Sequence, residues 1–222
     1  MNTEQKLIGL DLSIVSPDVI SVLIEDAPDP GIFEEIARAN TSRPEVLGLL
    51  IDCPHTPPPV KDFIAGIAGA PVTRRSPAPD NERAKSESLM QKIQKLGVSA
   101  RVQLALKGGR EIRGILARDP SKEVVLSVLE NGKITESEVE LIARNRSAME
   151  EVLRRISKNR EWMKKYAVLS ALVTNPKTPA GIAVTFVSGL RTRDLSVLEK
   201  NRNVSEAVRI AAKKLLLARR PG

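Results

Sequence analysis

The sequence predicts an all-α protein made of short antiparallel helices, and three observations point to that class. Hydrophobic residues make up 41% of the 222 residues, yet only one Trp, one Tyr and three Phe are present, so the core must consist of Leu, Ile, Val and Ala. An Asn or Asp ends one apolar stretch after another. A Pro, Ser or Thr that can start a new helix often follows within a few residues.

Four helices are predicted in residues 16–69, in the segments SPDVISVLIEDA, DPGIFEEIARAN, SRPEVLGLLIDC and TPPPVKDFIAGIAG. Ser16 and Asp29 each precede a proline, which is favoured at the first helical position because its missing N–H has no intrahelical partner there. Ser42 with Glu45 matches a capping box. Helices of about ten residues are marginal alone in water, so they must stack.

The same pattern recurs through residues 87–222, where eight or nine helices are predicted. Its markers are Asp119, Asn131, Asn145, Asn159, Asn175 and Asn201, at steps of 12, 14, 14, 16 and 26. The last step equals two shorter ones with a joint near Gly189, which gives a half-repeat of 12–16 residues. Asn tolerates the left-handed conformation that closes many helices, so it is predicted to stop each helix. An irregular bundle with ordinary caps is the alternative.

Three sites are predicted to restart helices immediately after these markers. Thr135 with Glu138 and Ser147 with Glu150 match the capping box. Thr178 followed by Pro179 places a cap before a first-turn proline. The glycines of LKGGREIRG, at 106–114, match no phosphate-binding pattern and indicate another helix joint.

Charge and composition divide the chain into two predicted domains. Residues 1–70 hold 4 Lys/Arg against 11 Asp/Glu, whereas residues 91–222 hold 27 against 13, within a total net charge of +8. Residues 71–86, PVTRRSPAPDNERAKS, cannot bury an apolar face and indicate a flexible linker. The prediction is an acidic helical domain at 1–70 and a basic helical domain at 87–222. Their opposite charges would allow them to bind each other.

The joint LVTNPKTPAGIAV, with IARN and VRIAA nearby, resembles bacterial HEAT-like α-solenoids and leucine-rich-repeat-variant proteins over most of 16–69 and 99–216. The resemblance implies an α-solenoid in two segments that acts as a binding scaffold. The chain departs from the second family because its repeats would pair to 26–28 residues and it has one cysteine. An iron–sulfur centre is therefore not expected, and no cofactor is predicted.

Catalytic and metal-binding residues are not predicted. Cys53 and His55 are the only neighbouring soft ligands, and a zinc site normally needs three or four. With a single His in a proline-rich turn, a Ser-His-Asp triad has no promising base. Glu161 beside Trp162 resembles the acid-plus-aromatic cleft of HEAT-like DNA glycosylases, but the preferred interpretation is a helix-start Glu and an interface Trp. The expectation is a protein without enzymatic activity.

The candidate binding residues are basic side chains that flank the markers: Arg118, Arg144, Arg146, Lys158, Arg160, Lys177, Lys200 and Arg202. Alternate joints of an antiparallel stack share an edge, so each edge would carry a row of positive charge. One interpretation is that these cations complement helix C-terminal dipoles. The other is that they bind a partner, either a protein with an acidic surface or, as the alternative, nucleic acid through its phosphates.

The remaining features concern location and assembly. The first 18 residues lack the pattern of a signal peptide, and no apolar run of 18 residues occurs. A lone cysteine fits a reducing compartment. A cytoplasmic protein with no membrane contact is therefore expected, while its oligomeric state stays open.

Overall fold

The structure, a computed structural model, describes residues 11–27, 29–68 and 82–219. These residues form fifteen α-helices and one 3₁₀ helix, Val187–Gly189, and contain no strand, which confirms the all-α class. The buried apolar side chains among them are aliphatic apart from Phe33 and Cys53, as the composition predicts. Packing groups the helices into two compact units, one up to Leu116 and one from Ala117.

The described residues of the first unit form seven helices, and α1 packs against α3, α5 and α6. The helices are α1 Pro17–Glu25, α2 Gly31–Ala39, α3 Pro44–Asp52, α4 Pro58–Ala68, α5 Glu82–Lys95, α6 Val98–Lys107 and α7 Arg110–Leu116. The four helices predicted in 16–69 are confirmed. Ser16 caps α1 and Pro17 is its first residue, as predicted, whereas the side chain of Ser42 caps nothing because α3 begins after Arg43.

The division between the units differs from the predicted one at residues 71–86. Residues 71–81 lie outside the described residues, so a linker there stays a prediction, while 82–86 begin α5. Leu89 and Ile93 of α5 are buried, and α5 packs on α1 and α7. The charge and polarity of the chain change near residue 71, but the helices that follow pack with the helices before it. Helices α5 and α6 pack against α1, and α7 packs against α5 and α6.

Ion pairs within the first unit join its acidic and basic helices. Glu25 of α1 pairs with Lys92 of α5, and Glu35 of α2 lies 3.7 Å from Lys107 of α6. Residues 1–116 hold 14 Lys/Arg and 15 Asp/Glu, whereas 117–222 hold 21 and 12. The excess positive charge of the chain therefore belongs to the second unit.

Asp26, which follows α1, fixes the start of α7. Its carboxylate accepts a hydrogen bond of 2.8 Å from the backbone N–H of Ile112, whose amide would otherwise be an open helix N-terminal donor. Gly109 lies so close that an added Cβ would be 2.1 Å from the carbonyl oxygen of Asp26. The predicted glycine joint is thus confirmed, since the contact between α1 and α7 admits no side chain there.

The second unit contains eight helices: α8 Lys122–Glu130, α9 Glu136–Arg144, α10 Glu150–Lys158, α11 Arg160–Met163, α12 Tyr166–Thr174, α13 Ala180–Phe186, α14 Thr192–Lys200 and α15 Glu206–Ala218. Helix α8 packs against α10, α9 against α12, and α13 and α14 against α15. Eleven helices lie in the described residues from 82 onward, where eight or nine were predicted. The single turn of α11 is one break that was not predicted.

The Asn markers end helices as predicted, but by a different mechanism. Asn131, Asn145, Asn159, Asn175 and Asn201 each follow a helix in an extended conformation, not a left-handed one; Asn145, for example, has φ −64° and ψ 113°. Each side-chain oxygen accepts the N–H two residues later at 2.9–3.0 Å. This local bond holds an Asx turn, which needs no positive φ and explains why Asn recurs.

A second hydrogen bond connects joints about 30 residues apart. The amide of Asn175 donates to the carbonyls of Ala143 and Asn145 at 2.6 and 2.9 Å, and that of Asn40 donates to Leu12 at 3.1 Å. Arg43 and Arg219 also donate to carbonyls 28 to 31 residues earlier. The carbonyls of Ala143 and Asn145 lie at the end of α9, so the bonds from Asn175 satisfy groups that a helix end leaves open. The spacings of 28 to 32 residues begin at the upper end of the predicted pair of 26–28 residues and extend beyond it.

Candidate binding surface

Three joints of the second unit lie next to one another, at 117–121, 145–149 and 175–179, and we call them the first edge. The amide of Asn175 reaches the carbonyl of Asn145, and residues 117–120 face 145–149 across a cavity. The alternate joints 119, 145 and 175 are thus adjacent, as predicted. No hydrogen bond or ion pair among the described residues connects the joint at Asn201 to them.

A second set of adjacent joints comprises 131–136, 159–166 and 187–194, and we call it the second edge. Lys165 forms an ion pair of 3.1 Å with Glu136. The hydroxyl of Tyr166 accepts the N–H of Arg191 at 3.1 Å and donates to Asp194, while the Arg191 guanidinium lies 4.4 Å from the ring centre. Burial and the bond to Asp194 raise the pKa of the Tyr166 hydroxyl, so it stays protonated as a donor.

All eight predicted binding residues are exposed, and they are distributed over both edges and the Asn201 joint. Arg118, Arg146 and Lys177 lie on the first edge and Arg160 on the second, Arg144 and Lys158 end the helices that lead into these joints, and Lys200 and Arg202 lie beside Asn201. Arg144 pairs with Glu140 at 3.2 Å. Within the described part of the chain the other seven form no ion pair.

Some other cations of the same unit are paired. On helix α10, Arg154 pairs with Glu150 and Arg155 with Glu130 at 3.6 Å, and on the second edge Lys164 pairs with Glu161 at 2.7 Å. Arg118, Arg146 and Lys177 of the first edge form no ion pair with any described residue. The first edge therefore carries cations that are available to an external anion.

The cavity on the first edge measures about 170 Å³. Its lining is Ala117, Arg118, Asp119, Pro120, Val125, Asn145, Ser147, Ala148, Met149 and Val152. Val125, Ala148 and Val152 are buried and form an apolar floor, whereas Arg118 and Ser147 are exposed at the rim. An apolar cavity thus lies directly beside the unpaired cations.

Asn145 differs from Asn175 in what its amide group does. Its side-chain oxygen accepts the N–H of Ser147 at 2.9 Å, as in the other Asx turns. Its amide nitrogen donates to no group in the described residues, although the equivalent nitrogen of Asn175 caps two carbonyls. The two residues differ in their distance from the preceding joint of the same edge: Asn145 follows Asp119 by 26 residues, whereas Asn175 follows Asn145 by 30.

The residues weighed for catalysis or metal binding do not come together. Cys53 is buried, with its sulfur 3.9 Å from the carbonyl oxygen of Ile24, and His55 is exposed. The described residues contain no group of three or more potential metal ligands. The hydrogen bond from Lys164 lowers the pKa of Glu161, so this carboxyl is not poised to act as a general acid.

Among the described residues, no helix combines the length and apolarity needed to cross a membrane. No protein-family model, curated protein or solved structure matches the chain.

Proposed function

We propose that the chain is a non-enzymatic helical-repeat scaffold of the α-solenoid type, and that it binds a protein with an acidic surface through the first edge. The unpaired joint cations carry the proposal. Opposite charges across an interface speed association and select partners. Exposed cations that lack an internal acid are free to supply that complementarity.

The repeat architecture is supported by bonds that recur at similar chain separations. Asn40, Asn175 and Arg219 each donate to carbonyls 28 to 32 residues earlier, which is the length of two helices with their joints. Ordinary helix caps act within one helix and do not predict this spacing. Stacked helix pairs would account for it and would present an extended surface.

Dipole complementation explains only some of the cations. Arg144, Lys158 and Lys200 lie in the last turn of a helix, where a positive charge is favourable. Arg146 and Lys177 lie beyond a helix end, outside the last turn. For these residues an external anion is the better explanation.

Nucleic acid is the second candidate because a row of cations can also follow phosphates. The first edge favours protein for two reasons. Its cavity has an aliphatic floor, which phosphate contacts do not require. The half-buried aromatic residues Trp162 and Tyr166 lie on the second edge, so they are not placed to stack bases on the first.

The test compares two double variants of the full chain that remove the same charge. Arg118→Glu with Arg146→Glu reverses the first edge, whereas Lys213→Glu with Lys214→Glu reverses exposed cations in the middle of α15. Tagged proteins are recovered from their native cells after nuclease treatment. Bound proteins are quantified by mass spectrometry at several salt concentrations.

We expect wild type and the α15 variant to retain a saturable acidic protein, and the first-edge variant to lose it at least about tenfold. Loss of all bound material on nuclease treatment, together with salt-dependent duplex binding, would instead support nucleic acid. Equal recovery of a protein by both variants would contradict binding at the first edge.

A further inference from the structure

The cavity on the first edge has the size of a pocket for one side chain. Its volume of about 170 Å³ is close to that of an engineered cavity of about 150 Å³ that accepts benzene. Pockets for drug-sized ligands start near 300 Å³. A single aliphatic or aromatic side chain therefore suits it better than a free metabolite does.

The lining indicates an uncharged occupant. Val125, Ala148 and Val152 are buried beneath the cavity, and an anion placed on them would lose its hydration without a partner. Asp119 stands at the rim and would repel a carboxylate that entered. Burial of an apolar side chain is favourable at the same place.

Polar groups around the cavity are placed to hold a chain that crosses it. The amide nitrogen of Asn145 donates to no described group, while the same atom of Asn175 binds backbone carbonyls. A backbone carbonyl of an incoming segment would restore that recurring bond. Arg118 at the rim and Arg146 beside Asn145 are exposed and unpaired within the described residues, so they favour carboxylates on either side of the anchor.

We propose that this cavity is an anchor pocket for one leucine-like or aromatic side chain of an acidic segment of the partner protein. The proposal rests on the function proposed above and adds a recognition rule to it. Acidic residues beside the anchor bind Arg118 and Arg146, the anchor fills the pocket, and the Asn145 amide binds the segment's backbone. The charge pattern alone would accept any acidic protein, whereas the pocket requires an apolar residue within the acidic run.

The probes are two fluorescein-labelled peptides that bind full-length protein and are followed by anisotropy. Both carry acidic residues on each side of a central position, which is leucine in one and glycine in the other. Ser147→Trp narrows the pocket, and Ser137→Trp places the same bulk outside its lining. Asn145→Asp removes the amide donor, and Asn201→Asp adds the same charge at another Asx turn.

We expect wild type, Ser137→Trp and Asn201→Asp to bind the leucine peptide about tenfold or more tighter than the glycine peptide. Ser147→Trp should reduce that preference to about one. Asn145→Asp should weaken both peptides severalfold relative to Asn201→Asp, because Asn145 lines the pocket and Asn201 does not.

Three results would overturn the pocket. The first is equal binding of both peptides by wild type, and the second is an unchanged leucine preference in Ser147→Trp. The third is a concentration-dependent dimer that excludes the leucine peptide, which would make a second copy of the chain the occupant. After either of the first two results, the loss of binding expected for the double variant Arg118→Glu with Arg146→Glu could still be observed. Failure of the pocket is therefore distinct from failure of the proposed function. If no acidic peptide binds at low salt, both fail.

Discussion

At the scale of single residues, the two amide-bearing turns at Asn145 and Asn175 separate structural from functional roles. Asn175 is 4% exposed and its nitrogen binds two carbonyls, so a carboxylate there would be buried against acceptors. Asn145 is partly exposed and its nitrogen has no described partner. The same substitution therefore tests two different environments.

Asn175→Asp should lower the free energy of unfolding by about 3 to 5 kcal/mol, the cost of an uncompensated buried charge. Asn145→Asp should lower it by less than about 0.5 kcal/mol, because its oxygen still accepts the N–H of Ser147. Urea unfolding followed by circular dichroism measures both. Similar losses in the two variants would contradict the assignment of the Asn145 amide as free.

At the scale of elements, Asp26 connects the end of α1 to the start of α7. Burial raises the pKa of its carboxyl, and this effect outweighs the bond from the Ile112 N–H, which lowers the pKa. A raised native pKa means that the folded protein takes up a proton before the unfolded chain does. The contribution of the protonated Asp26 carboxyl to folding stability is therefore fully present below its pKa in the unfolded chain. It is lost as the pH rises through its pKa in the folded protein.

Asp26→Asn keeps an oxygen for the Ile112 N–H but does not titrate. As pH falls from about 7 to about 4, wild type should gain stability relative to this variant. Asp26→Ala should be less stable than Asp26→Asn at every pH by about 1 kcal/mol, because the α7 amide loses its cap. Urea unfolding across this pH range checks both, and a stability difference between wild type and Asp26→Asn that stays flat would argue against a raised pKa.

Helix starts show which local features a sequence can predict. Thr135 and Glu138 form the predicted capping box, in which the Thr135 hydroxyl accepts the Glu138 N–H and the carboxylate accepts the Thr135 N–H. Ser147 and Glu150 match the same pattern, but α10 is capped at Met149 and the box is wrong.

Thr178 was likewise predicted to start α13, yet its hydroxyl donates to the Leu172 carbonyl and closes α12. The predicted cap at Asp29 is also displaced by one residue, since Pro30 precedes α2. In the Asn145 and Asn175 joints, the Asx turn occupies the residues that follow, so the next helix starts later than its local pattern suggests.

At the scale of the whole molecule, the first unit is assembled from both sides of the predicted linker. Helix α1 packs on α5 and α6, Asp26 binds Ile112, and Glu35 pairs with Lys107. If the chain is cut between α4 and α5, the contacts between the helices on the two sides of the cut should hold the fragments together. Two independent domains would separate instead.

A protease site inserted near residue 75 tests this arrangement. After cleavage, the fragments should elute together in native size exclusion and separate only in denaturant, because α1 and α5 share a buried core. A site inserted directly after Arg219, which is exposed, is the control for the protease. Separation of the fragments without denaturant would show that residues 1–70 fold as an independent domain.

The helical class, the aliphatic core and the marker positions could be predicted, because each depends on composition or on neighbours close in sequence. The assignment of the helices to the two units could not be predicted. Leu89 and Ile93 are buried, but the sequence gives no indication of which earlier helix covers them. The sequence identified the basic residues at the joints as candidates. It could not predict the cavity beside Arg118, because that cavity is formed by two joints, near residues 119 and 145, that are distant in sequence.

The bonds from Asn175, Asn40 and Arg219 all run backwards along the chain. During synthesis, the accepting carbonyls of Leu12, Ala143 and Leu190 therefore leave the ribosome about 30 residues before their donors. At about 5 to 20 residues per second, that interval lasts roughly two to six seconds. Each of these three contacts forms only after the later segment has been translated, so they are completed in order from the amino end.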